Sequence, residues 1–248
     1  QDAVRTLAGE DFKTIPATQA EHKAKPPERT AFALPPKNNG NRRVFAYLHR
    51  SRGIAAEIVN HCIKYDLLYE DAQHHNAVFV GKDENNNARY AFLRGTLTDS
   101  HFRQEATGSD KSYGFFLRGS GKTLFVCEAA IDALSVATLR KFGGLDWKKD
   151  NYLALGGVTA SERKLPVALE RTLNNFSFKR VVLCFDNDAA GQTAARRIFT
   201  MLRQQFPENL EVRTCVPEVK DFNDQLCVKL QNGKNSPSRG TRESNLSR

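Results

Sequence analysis

Between residues 119 and 230 the sequence alternates short apolar runs with segments of helical periodicity, and that rhythm restricts the fold more than any other feature of the 248 residues. The apolar runs are 124–127, 152–155, 181–185 and 210–216; the candidate helices are 130–142, 161–176, 189–206 and 222–230. The first three runs are almost continuously apolar, as strands covered on both faces must be. The fourth alternates, which suits an edge. In the first helix Ala133, Leu134, Ala137 and Leu139 fall at helical spacing, and Arg140 and Lys141 close its last turn. The expected fold is α/β, an open parallel sheet of about four strands flanked by helices. Such sheets bind ligands at the carboxyl ends of their strands.

The rest of the chain divides around this block. Residues 1–43 mix polar residues with five prolines and end in Asn38-Asn39-Gly40-Asn41. They read as a linker, with a helical remnant of an upstream module over 2–9. The chain starts with Gln, which is expected of a piece of a longer protein. Residues 44–118 form a small α+β subdomain: two short helices at 44–49 and 55–65, broken at Gly53, then a hairpin of strands 77–80 and 88–93 around Asp83-Glu84-Asn85-Asn86-Asn87. The α/β domain spans 119–230. Residues 231–248, rich in Asn, Ser, Gly and Arg, read as a disordered tail.

Charge narrows the partner. The chain has 37 Lys+Arg against 28 Asp+Glu, a formal net charge of +9. The excess sits in residues 1–43, 119–230 and 231–248, while 44–118 is neutral. A polyanion is favoured, because cations gain by displacing counterions from phosphates; a solvated basic surface is the alternative. No apolar run approaches the ~20 residues that cross a bilayer, so no membrane partner is expected, and no secretory start is present. A cytoplasmic location follows as the expectation. The five cysteines (Cys62, Cys127, Cys184, Cys215, Cys227) are scattered without a CxxC, which argues against a disulfide scaffold or zinc site and for core thiols.

Acidic residues fall where strands end. Glu128 follows the first apolar run, and Asp186 and Asp188 follow the third. If those strands are parallel neighbours, three carboxylates meet, and packed anions call for a divalent cation. Mg²⁺ (or Mn²⁺) suits such a site. Helix capping is the competing account, for Asp188 above all. Asp132 lies on the same helix face as Glu128 and either extends the cluster or solvates the helix. Asp221 and Asp224, after the last strand, are further candidates, with capping again the alternative. Gly156-Gly157 allows close approach of a phosphate, or is a plain turn.

Gly119-Ser120-Gly121-Lys122-Thr123 imitates a phosphate-binding loop, but Phe116 stands where the loop's first glycine belongs, and a strand follows instead of a helix. Lys122 remains a candidate phosphate contact as a point charge. His74-His75 lacks a partner at metal-ligand spacing and reads as loop. Arg89, Arg94, Arg103, Lys111 and Arg118 punctuate the hairpin region, as a balanced surface or as a basic wall facing nucleic acid or triphosphate.

Glu128-Ala129-Ala130-Ile131-Asp132, Gly156-Gly157 and Asp186-Asn187-Asp188-Ala189-Ala190-Gly191 together resemble the Toprim domain shared by bacterial primases, topoisomerases and certain nucleases. The family's usual Glu-Gly start is Glu-Ala here. Upstream, Tyr47-Leu48, Arg52-Gly53-Ile54, the hairpin ending Arg94-Gly95, and Ser109-Asp110-Lys111 are similar in order to the DnaG-type primase polymerase core, and closer still to primase-like proteins of mobile and conjugative elements. The resemblance implies a Mg²⁺-dependent nucleotidyltransferase that makes primers on single-stranded DNA. Glu128, Asp186 and Asp188 would then be catalytic and, with Asp132, Asp221 and Asp224, metal-binding; Arg94 and Lys111 would hold nucleic acid and nucleoside triphosphates. A replicative helicase is the further partner implied. A Toprim nuclease and a non-catalytic DNA-binding accessory protein are the alternatives.

Overall fold

The computed structural model describes residues 31–97, 101–157, 164–206 and 208–235. The helix expected over 2–9, the start of the one expected at 161, and the tail from 236 lie outside the described residues.

In chain order the elements are α1 (Arg42–Ala46), a π-helical turn (Tyr47–Ser51), α2 (Ala56–Lys64), β1 (Leu68–Glu70), β2 (Ala77–Lys82), β3 (Ala88–Arg94), β4 (Arg103–Glu105), β5 (Phe115–Leu117), β6 (Thr123–Cys127), α3 (Ala130–Phe142), a 3₁₀ turn (Trp147–Lys149), β7 (Asp150–Ala154), α4 (Val167–Asn175), β8 (Arg180–Cys184), α5 (Ala189–Gln205), β9 (Glu211–Thr214) and α6 (Phe222–Asn235). They build two sheets. One is antiparallel, in the order β1-β2-β3-β4; the other has five strands in the order β5-β7-β6-β8-β9.

In the larger sheet β7, β6, β8 and β9 are parallel. Successive side chains of a strand face opposite ways, and here both faces are covered. Phe125, Cys127, Tyr152, Val182 and Cys184 pack with α3, α6 and the α1–α2 region. Leu124, Val126, Leu153, Val181 and Leu183 pack with Leu169 of α4 and Ile198 and Leu202 of α5. Hence the nearly unbroken apolar runs. The fifth strand, β5, is antiparallel on the β7 edge. Three residues carry no readable period, so the sheet is one strand wider than the sequence suggests.

Two further expectations are corrected. Residues 35–43 are tied down, not a free linker: Tyr69 donates to the Pro35 carbonyl, and Asn41 Oδ1 accepts the Glu70 N–H at 2.8 Å. At the other end α6 continues to Asn235, past the expected stop at 230. Buried Phe222 and Leu226 anchor its first turns, and a helix once nucleated propagates through polar residues by local bonds.

The phosphate-loop mimic has a structural role. A Cβ at Gly119 would meet the Asp150 carbonyl at 2.0 Å, and one at Gly121 the Lys149 carbonyl at 2.1 Å. The glycines let this loop lie against the start of β7, where Asn151 Nδ2 donates to the carbonyls of Gly121 and Thr123. Cys62, Cys127 and Cys184 are buried as expected, but Cys215 is exposed just beyond β9 and Cys227 is half-buried. No described helix is long and apolar enough to cross a membrane.

Candidate active site

Parallel strands send their carboxyl ends to one edge. Cys127 and Cys184 are register partners in β6 and β8, so Glu128 and Asp186 arrive side by side. Asp132, one turn into α3 and 8 % exposed, accepts the Asn223 N–H at 3.3 Å. Two adjoining cavities result. Glu128, Asp132 and Asp186 line one of about 340 Å³ with Tyr90, Arg103, Gly156 and Gly157. Asp132, Asp186 and Asp221 line another of about 260 Å³, facing Arg52, Arg94, Arg103 and Lys220.

Among the described residues none of these carboxylates is in an ion pair. Burial, followed by the charges of Asp221 and Asp186, pushes Asp132 up to about 8. Burial and the charges of Glu128 and Asp221 push Asp186 up to about 6. Burial also raises Glu128, against the lowering bond from the Asp186 N–H. These anions disfavour one another and want a cation.

No group of three or more His, Cys, Asp or Glu among the described residues forms a ready metal cage. Mg²⁺ asks for less: one or two carboxylates, with water and substrate phosphate completing its shell. An all-oxygen donor set of unpaired carboxylates fits that ion, Glu128 and Asp186 being the adjacent pair.

The remaining candidates divide. Gly156 and Gly157 sit at the first cavity with φ of 70° and 101°, and their N–H groups donate to the Glu128 carbonyl at 3.1 and 3.2 Å. A Cβ on Gly156 would stand 2.2 Å from the Tyr90 hydroxyl. Asp188 caps α5, its Oδ1 accepting the Gly191 N–H at 2.7 Å, and lines neither cavity. Asp224 is exposed in the first turn of α6 and gives its N–H to Asp221 Oδ1 at 2.7 Å; it too lies outside both cavities. Arg94 faces the acids. Lys111 instead pairs with Glu105 at 3.0 Å, beside the first cavity rather than in it. Lys122 stands apart from the acids. It immediately precedes β6, so the whole strand, roughly 15 Å, separates it from Glu128.

Arg103 is the residue that sequence reasoning undervalued. It lines both cavities and lies directly opposite Arg94 in the β3–β4 ladder. Like charges so paired are destabilising, and Arg94 Nε is buried without a hydrogen-bond partner. Only the pairing of a three-residue strand brings Arg103 here, and such a strand has no period to read. Asn223 was likewise hidden. Its Nδ2 donates to the Arg52 carbonyl at 2.8 Å and to Ser135 Oγ at 3.0 Å, while its Oδ1 accepts from Arg52 at 3.3 Å.

Residues 125–226, which hold this acidic edge, match the family model described as Toprim-like. They form a Toprim-like domain. Residues 46–122 match a second model, described as a protein of unknown function, DUF3991. No curated protein matches the sequence. The fold is that of primase catalytic cores. It is similar to the primase fragment of the bacteriophage T7 primase–helicase protein (23 % identity, 75 % of this chain, 69 % of that one, TM-score 0.51). It is similar also to the E. coli primase catalytic core (15 % identity, 76 % and 69 % covered, TM-score 0.50). A third similar structure is the DnaG primase catalytic domain bound to single-stranded DNA (12 % identity, 78 % and 72 % covered, TM-score 0.50).

Proposed function

We propose that this Toprim-like, primase-like protein is a Mg²⁺-dependent nucleotidyltransferase that makes primers on single-stranded DNA, in the setting of a mobile element. One observation supports this reading above the rest: unpaired carboxylates of Glu128, Asp132, Asp186 and Asp221 share their cavities with the opposed pair Arg94 and Arg103. That arrangement suits a ligand that is anionic toward the arginines and metal-bridged toward the acids, as a nucleoside triphosphate is.

Glu128 and Asp186 would hold Mg²⁺, with Asp132 and Asp221 behind them. Bound there, the ion would supply charge neutralisation for a triphosphate and its departing pyrophosphate. The protein's own part is positioning. Arg94 and Arg103 bind phosphate oxygens through charge-assisted bonds. In the alternative arrangement Glu128, instead of holding the ion, would take the proton of an attacking 3′-hydroxyl. Gly157, beside which nothing stands within 4 Å of a Cβ position, leaves room for backbone to approach substrate. Asp188 fixes the start of α5, and with it the loop carrying Asp186. A helicase is the natural partner of such an activity.

The test is incubation with single-stranded DNA, Mg²⁺ and labelled ribonucleotides. Elongated products are expected, lost on chelation. Asp186→Asn should raise the Mg²⁺ requirement by more than the roughly 10–100-fold typical of losing an outer partner of a metal ligand. Shortened DNA would replace this reading with a nuclease; salt-sensitive binding with no products would leave an accessory DNA-binding protein.

A further inference from the structure

A cavity of about 580 Å³ lies away from the acids. It opens between the end of α2, the β2–β3 turn and the far end of β5. Because β5 runs antiparallel to its neighbour, with Phe115 opposite Ala154 and Leu117 opposite Tyr152, Arg118 at its end faces the opposite edge of the sheet from Glu128. The lining combines rings with cations. Tyr65 is 52 % exposed and lies 4.5 Å from the His61 ring, centroid to centroid. The Arg118 guanidinium is 4.6 Å from the centre of Phe176, and Lys64 stands 5.6 Å from that of Tyr65.

The charges here are unequally committed. Each carboxylate of the lining already has a cation: Asp66 has Lys37 at 2.5 Å, Asp83 has Arg89 at 2.8 Å, and Glu84 has Arg171 at 2.9 Å. Among the described residues Lys64, Lys82 and Arg118 are in no ion pair; Lys82 donates only to the Tyr65 carbonyl and Asn86. The cavity therefore offers cations outside any ion pair beside the exposed ring of Tyr65. Carboxylate ligands would use the first and apolar ligands the second. A base carrying phosphate uses both, since rings stack bases without regard to sequence while cations follow the backbone.

We infer that this rear groove is a second binding site for single-stranded nucleic acid, seating one or two nucleotides of a strand between Tyr65 and the Arg118–Phe176 pair. The choice of a strand over a free nucleotide rests on the polymerising function proposed above; the ligand class itself rests on the groove. It gives a template a hold remote from the chemistry.

Photocross-linking the full chain to an iodouracil-substituted oligo(dT) of roughly sixteen nucleotides, followed by peptide mapping, tests it. Adducts at the Tyr65 or Phe176 peptides are expected, in the Asp186→Asn variant as well. Arg118→Glu should weaken binding of that oligonucleotide about tenfold while changing that of roughly a four-mer less than about twofold. Tyr65→Ala, which removes an exposed ring and opens no core, should repeat the effect. Adducts confined to the acidic edge, an equal response of both lengths, or absence of salt-sensitive binding would overturn the inference. So would displacement of the Tyr65 adduct by thymidine monophosphate as readily as by the strand. Adducts at Tyr65 in a chain that extends no primer would leave the groove standing and remove only the activity.

Discussion

At the scale of single residues, Gly156 and Gly157 make an internal comparison. Both have positive φ, which any side chain resists. Only Gly156 also has the Tyr90 hydroxyl in the way. Gly157→Ala should cost about 1 kcal/mol from backbone conformation alone. Gly156→Ala should cost about 2 kcal/mol or more, since strain and displacement of a buried tyrosine add. Urea denaturation of the two variants checks the order. Equal losses would mean that Tyr90 yields freely. The pair of glycines was legible in the sequence as a point of close approach. What they approach was not, because Tyr90 reaches them from another sheet.

At the scale of elements, the end of α1 shows how a short helix is held. Asn41 gives it no side-chain cap. Glu70, at the end of β1, accepts the N–H groups of Arg43 and Val44 at 2.9 and 3.3 Å, with Asn38 and His75 at 2.9 and 2.6 Å. Burial raises the Glu70 carboxyl, but those four bonds outweigh it and hold it below its ordinary value of 4.5. A depressed pKa contributes stability that is present above the unfolded value and fades as pH falls through the folded one. Glu70→Gln should therefore lose stability at neutral pH, by about 1–2 kcal/mol, and flatten the chain's stability profile below about pH 4.5, measured by denaturation across pH. A second element joint is Arg140 of α3 on Asp150 of β7, bonded at 2.9 and 2.6 Å with Asp150 buried. Arg140→Met should cost about 2–3 kcal/mol by stranding that carboxylate, and Asp150→Asn in the same chain should return part of it.

These elements were read from sequence with uneven success, for a definite reason. The strands β6, β7 and β8 are covered on both faces, so their apolar runs declare them, and α3 and α5 carry a stripe long enough to count. The strands β1, β4 and β5 have three residues each and exist because a longer neighbour pairs with them. Nothing local marks them. Lys122 and Glu128 differ in which end of β6 they occupy, and only the acid was placed by that rule.

At the scale of the whole molecule, the chain carries +9, and its cavities hold cations in two places: Arg94 and Arg103 opposite the acids, and Lys64, Lys82 and Arg118 at the rear. If a single strand binds, the logarithm of affinity should fall linearly with the logarithm of salt, losing about 0.7 in slope for each phosphate contact removed. Arg94→Ala and Arg103→Ala should each reduce the slope by about that amount, read by fluorescence anisotropy over a salt series. An unchanged slope would mean that the opposed arginines meet no phosphate. The overall charge was plain in the sequence. Its partition was not, since Arg94, Arg103 and Arg118 look equivalent along the chain and only strand direction sends the last of them to the rear.

Asn223 joins Arg52, Ser135 and Asp132 through one buried amide group and its own N–H. A hinge between the 44–118 subdomain and the α/β domain would have to break the two bonds to Arg52 and open the core the two parts share, so they travel together. The gap between the guanidinium side and the carboxylate side is then a fixed gauge, sized in advance for what enters it rather than closed upon it.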